Sequence, residues 1–334
     1  MFIVSAVLVL ACLLHHVSSA SPASLRSRRW QRLHGGEGRA VEAPVDARLC
    51  GPGDFLPEIY RVVTGRVHSL HPRRRTCQWA RLRQMAGDGG CLFYSLASAL
   101  WYEEEGQHPD VNSEDFRSLA AALRQAAVDV LLFDGNASRA AFGSPSLSHP
   151  LLLRHIHHTG HLRRHHKSAA NELLLCVDAS RDLWVTNSEL LAAAASYHNT
   201  TCDVYCDDMR RHFTWGGGPE IVAIANLLGR PILVYEARTV RGKGQQIHDG
   251  GARCSPDWDL FCVGCFGPGV NNTRHRPLRV AFVDATFPYV RVLRRKRGVG
   301  SVLAGVLGGR KGGQRPNHFL AIFVMDDNTR TGVR

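Results

Sequence analysis

The segment Gly87-Asp88-Gly89-Gly90-Cys91-Leu92-Phe93-Tyr94-Ser95-Leu96 sets a thiol directly behind a glycine turn and at the head of an apolar helical stretch, LFYSLASALW. A thiol in the first turn of a helix meets the positive end of the helix dipole, which favours the thiolate. The glycines let backbone N–H groups come close to a reacting carbonyl, as an oxyanion hole requires. The same pattern also fits a buried structural cysteine after a turn. A second piece, Asn317-His318-Phe319-Leu320-Ala321-Ile322-Phe323, starts an apolar strand with a histidine that could serve as a general base. Taken alone, a strand histidine is more often structural. The third piece, Thr214-Trp215-Gly216-Gly217-Gly218-Pro219-Glu220, reads by itself as a loop with an aromatic core anchor.

The elements that must position these groups are legible in patches. Ser113 caps EDFRSLAAALRQAAVDVLLF, whose apolar residues recur at helical spacing. Thr186 and Glu189 form a capping box ahead of LLAAAASYH. Pro219 and Glu220 open a third helix, IVAIANLL, which Gly229 closes. Strands are expected at ILVYEA after Pro231, at 278–285, at 289–293 and at 318–325. Helices early and strands late argue for a mixed α/β or α+β domain.

In chain order, DGGCLFYSLA, TWGGGPEIVAIANLLGRPILVY and NHFLAIF resemble the ovarian-tumour (OTU) family of cysteine proteases. The resemblance implies an α/β (α+β) papain-like fold with a central sheet flanked by helices. It implies a thiol-dependent isopeptidase that removes ubiquitin or a ubiquitin-like modifier from its conjugates. In that reading Cys91 matches the nucleophile, His318 the general base, and Asp88 the acid three residues before the nucleophile. Backbone N–H groups of Gly89, Gly90 and Cys91 would form the oxyanion hole, and no metal or cofactor is implied. Two positions depart from the family pattern. Gly90 replaces the commoner Asn or Asp, and Leu320 stands where many members carry the Asp or Asn that orients the histidine. Residues 318 and 320 share a strand face, so the orienting role passes to Asp88, to another group, or to none. The alternative is a weak or inactive OTU-like module that binds ubiquitin.

Residues 1–20 read as a secretory signal peptide, and 21–52 as a basic linker or transit-like segment. The expected route is therefore secretory, ending in secretion or in a secondary plastid. The catalytic domain is placed at 53–327, with insertions near 134–168, 237–277 and 294–316 and a tail at 328–334. The chain carries 41 Lys+Arg against 29 Asp+Glu, a net +12. Residues 1–52 hold six Arg, two Glu and one Asp, so +9 remains without them. No nucleic-acid-reading motif accompanies that charge, so no nucleic-acid partner is expected. No segment after the leader reaches 18 consecutive apolar residues, so no membrane span is expected in the mature chain. Cys202/Cys206 and Cys262/Cys265 are a weak candidate zinc set, with disulfides and free thiols as rivals. The histidines between His149 and His166 read as a solvated loop, and Arg294–Arg297 as an exposed one.

Overall fold

Six strands close on themselves in the order β1-β2-β8-β7-β5-β6. They are β1 Phe55–Thr64, β2 Thr76–Arg83, β5 Ile232–Thr239, β6 Cys254–Phe266, β7 Leu278–Val283 and β8 His318–Val324. The ring is mixed: β5 runs parallel to β7 and β1 parallel to β6, while the other neighbours are antiparallel. A separate two-stranded sheet joins β3 Leu174–Asp178 to β4 Leu183–Thr186. This is a computed structural model, and it describes residues 50–64, 76–133, 149–159, 173–178, 183–239, 254–268, 276–283, 287 and 318–325. Residues 1–49, the expected strand at 289–293, the insertion at 294–316 with its Arg294–Arg297 run, and the tail at 328–334 lie outside the described residues.

Among the described residues six helices accompany the strands: α1 Cys91–Glu105, α2 Glu114–Leu131, α3 Pro150–Thr159, α4 Asn187–Tyr197, α5 Cys202–Arg210 and α6 Gly218–Leu227. The start signals read from sequence are present. Ser113 accepts the Phe116 N–H, and Thr186 with Glu189 forms the reciprocal capping box. α1 packs against β7 and β8, and α2 against α1 and α6, which gives the mixed α/β arrangement expected.

Three expectations change. Strands do not all come late, because β1 and β2 precede the first helix among the described residues. Part of the loop-like 134–168 segment, Pro150–Thr159, is helical. The Gly-rich 237–277 segment contains β6, which pairs with both β5 and β1. Its polar Asp259 is accommodated because Arg61 lies opposite in register and donates to it, Nε to Oδ1 at 3.1 Å.

The barrel interior is filled by alternate residues of its strands: Tyr60 and Val62, Ala80 and Leu82, Leu233 and Tyr235, Leu320 and Ile322. Leu320 is therefore a core residue, with its side chain committed to barrel packing. The end of β2 is fixed to α1 by Arg83. Its guanidinium donates to Gly53 O at 2.7 Å, Ser98 Oγ at 3.0 Å and Pro109 O at 2.6 Å. The bonds to Ser98 and Pro109 satisfy buried groups, so the strand end and the helix hold one relative position.

Candidate active site

Cys91 is the first residue of α1, and Gly90 is its cap, with no side chain to close the helix end. The first-turn N–H groups of a helix have no internal acceptors, so Cys91 N–H is available to a ligand. The preceding turn depends on Gly89, whose φ of +99° favours glycine and whose absent Cβ would collide with the Phe213 carbonyl. Asp88 Oδ1 accepts the Gly90 N–H at 2.9 Å.

Across the same peptide, Gly89 O accepts from Arg124 Nη2 at 3.1 Å. The 89–90 peptide is thus gripped at both ends. This corrects the expected oxyanion set, because the Gly90 N–H is already engaged by Asp88. The N–H groups of Gly89 and Cys91 are the candidates that remain. Asp88 itself shapes the turn, and the His318 ring makes its hydrogen bond elsewhere.

Arg124, buried on α2, joins the turn to the end of α5 and the loop after it. It donates to Met209 O at 3.0 Å, His212 O at 3.0 Å and Thr214 O at 2.8 Å, and its guanidinium lies 4.3 Å from the Phe93 ring centre. Gly216 of the TWGGG segment then comes against α1. A Cβ on Gly216 would sit 2.8 Å from Phe93 Cε2. Glu220, fully buried, takes the Tyr205 hydroxyl at 2.6 Å and the Gly217 N–H at 2.8 Å. Burial raises its carboxyl pKa, and the bonds from Tyr205 and Gly217 oppose that rise. Trp215 is 39% exposed and Phe213 51%, so the expectation of an aromatic core anchor at 215 does not hold.

His318 opens β8 and is completely buried. The adjacent Phe319 N–H donates to Cys91 Sγ at 3.4 Å, which brings the head of β8 against the head of α1. Gln84 Nε2 lies 3.3 Å from His318 Nε2, and His318 Nδ1 has no hydrogen-bond partner among the described residues. Sequence reasoning missed Gln84, because β2 was not recognised as a strand.

Burial sets the protonation of the pair. It pushes the Cys91 thiol up to about 12, against the Phe319 and Leu92 backbone bonds; Asp88 adds to the rise and Arg124 opposes it. Burial also lowers His318 to about 4, with the Met85 backbone opposing. The helix end was expected to give a thiolate. At 1% exposure desolvation wins, and the resting pair is a neutral thiol beside a neutral imidazole. Such a pair can still perform nucleophilic attack if the imidazole removes the proton as the bond to carbon forms.

The family model for OTU-like cysteine proteases matches residues 86–261, or 176 of 334 positions. The chain belongs to the OTU family. The match contains the Cys91 turn, the TWGGG segment and β5, and it ends before β8, so His318 rests on the geometry above. No curated protein matches the chain.

Among the described residues no group of three or more His, Cys, Asp or Glu could hold a metal ion. Cys202 and Cys206 lie on α5 while Cys262 and Cys265 lie on β6, so the zinc set suggested by their spacing is not assembled. Among the described residues, cysteines 91, 202, 206, 262 and 265 are free thiols. No helix among the described residues is long and apolar enough to cross a membrane.

Proposed function

We propose that this OTU-family chain is a cysteine isopeptidase that removes ubiquitin or a ubiquitin-like modifier from protein conjugates. Cys91 is the nucleophile and His318 the general base. The observation that carries this reading is the Phe319 N–H to Cys91 Sγ contact. It places the head of β8 beside a thiol that already sits in a restrained glycine turn.

In the proposed reaction His318 takes the thiol proton while Sγ adds to the carbonyl of the modifier's C-terminal residue. The Gly89 and Cys91 N–H groups hold the oxyanion. His318 returns that proton to the departing lysine amine, leaving a thioester on Cys91. It then removes a proton from water, which attacks the thioester and restores the thiol. Asp88 contributes by fixing the turn.

The test is hydrolysis of a fluorogenic C-terminal amide of ubiquitin, and of a panel of ubiquitin-like modifiers, by the wild type, Cys91→Ala and His318→Asn. Turnover abolished in both variants, with folding retained, supports the reading. A folded wild type that binds modifiers but turns over none of them would instead make the chain a binding module. We also propose that residues 1–20 direct the chain into the secretory route. Attaching residues 1–52 alone to a fluorescent protein and following its location tests that.

A further inference from the structure

The family's usual orienting position is unusable here, because Leu320 is packed into the barrel. The neighbouring strand offers a substitute. β2 and β8 pair Leu82 with Ile322 and Arg83 with Ala321; one further step sets Gln84 opposite Leu320. Leu82 points into the barrel, so by alternation Gln84 points to the same side, the side shared by Leu320 and His318. Gln84 is 4% exposed, and its amide reaches the His318 ring at 3.3 Å.

Two amide orientations are compatible with this contact, because the oxygen and nitrogen of a glutamine are assigned from the hydrogen-bond network. With the nitrogen toward the ring, Gln84 donates to Nε2, and His318 carries its proton on Nδ1. That tautomer offers no acceptor at Nδ1. With the amide turned over, Oε1 accepts the Nε2–H instead, and Oε1 is otherwise a buried oxygen without a partner. Nδ1 is then an unprotonated acceptor, also without a partner. Only the second arrangement leaves a ring nitrogen able to receive a proton from the thiol.

We propose that Gln84 is the positioning residue of the site, its side-chain carbonyl holding His318 as the Nε2–H tautomer with Nδ1 facing the thiol. This rests on the protease reading for its catalytic consequence, although the pairing itself does not. It also explains how the chain can do without an acid or amide at 320. The function has moved across the ladder from β8 to the end of β2, where Arg83 pins the strand to α1.

The test uses the full chain with ¹⁵N-histidine labelling, assigning the His318 ring signals by their loss in His318→Gln. Gln84→Leu and Gln84→Glu are the variants, each checked for an unchanged fold by circular dichroism. The expected wild-type ring is the Nε2–H tautomer. In Gln84→Leu it shifts toward Nδ1–H, and kcat falls about tenfold to a hundredfold, part of the 10²- to 10⁴-fold worth of a general base, with KM unchanged. Gln84→Glu supplies a charged acceptor, keeps the Nε2–H tautomer, and moves the acidic limb of the kcat profile to higher pH.

A His318 tautomer that is Nδ1–H in the wild type, or unmoved by either variant, overturns the assignment of Gln84. The Cys91–His318 reaction would survive that result. A tautomer that responds as expected in a protein that cleaves no modifier would support the pairing and defeat the protease reading instead.

Discussion

The two halves of the site are held by opposite means. On the nucleophile side a dense set of directional bonds fixes one peptide. Arg124 takes the Gly89 carbonyl, Asp88 takes the Gly90 N–H, and the same Arg124 reaches one carbonyl of α5 and two of the loop that follows it. On the base side the buried imidazole meets one neutral amide, that of Gln84. Charge and multiplicity preorganise the half where the oxyanion must develop, while burial and one amide poise the half that moves a proton. Damage to the first should therefore cost both fold and rate, and damage to the second mainly rate and its pH dependence.

The largest effect expected is at Gly89. An alanine there must adopt a positive φ and collide with the Phe213 carbonyl, and backbone cannot rotate away. Gly89→Ala should lower kcat/KM about 10²- to 10³-fold, the cost of a displaced oxyanion donor. It should also lower stability by about 1–3 kcal/mol, measured by urea unfolding. Equal activity in Gly89→Ala would break the claim that this turn is the rigid half.

Arg124→Lys comes next. It keeps the charge but cannot serve four carbonyls with one fork, so buried acceptors go unpaired at about 1–3 kcal/mol each before relaxation. The unfolding midpoint should drop clearly and kcat with it.

Leu320→Asn, which restores the residue type common in the family, sharpens the comparison from the base side. A buried amide inside the barrel costs about 1–3 kcal/mol, so the variant should lose stability in the same assay. Because Gln84 already serves His318, kcat should stay at or below the wild-type value. A rise would mean that the histidine lacks a partner in the wild type.

The smallest effect is a pH dependence. His318 is lowered from 6.5 to about 4 by burial, so it remains a neutral base through mildly acidic conditions. The acidic limb of kcat/KM should therefore lie nearer pH 4 than 6.5. The same depression has a stability consequence. Between these values the unfolded chain binds a proton at this histidine and the folded chain does not, so stability falls as pH drops from 6.5 toward 4. Thermal unfolding across that window should show a shallower slope in His318→Gln. His108, lowered to about 4 by burial and by Arg83 and Arg81, contributes in the same direction and is unaffected by that variant.

What could be read from the sequence was local. The Ser113 cap, the Thr186–Glu189 box, the glycine turn and the apolar β8 each announce themselves within a few residues, and each is present. What escaped was decided by pairing. β1 contains Pro57 and carries a register shift between Phe55 and Ile59, so its pattern is broken. β6 contains Asp257, Asp259 and Gly264 and reads as a loop until Arg61 is set opposite Asp259. Gln84 could have been found from the inward alternation Ala80, Leu82, Gln84, but only once β2 was known to lie beside β8. The neutral resting pair was likewise hidden, since helix position is visible in sequence and burial is not.

The central claim is that Cys91 attacks the C-terminal carbonyl of a ubiquitin-like modifier. The most direct measurement is capture by ubiquitin, and by a panel of ubiquitin-like proteins, each carrying a C-terminal electrophile, with the adduct mapped by mass spectrometry. The account predicts one adduct, on Cys91, absent in Cys91→Ala, slowed in His318→Asn, and retained when Cys176, Cys202, Cys206, Cys262 and Cys265 are replaced. An adduct on any other cysteine, or none from the folded wild type across the panel, would contradict it.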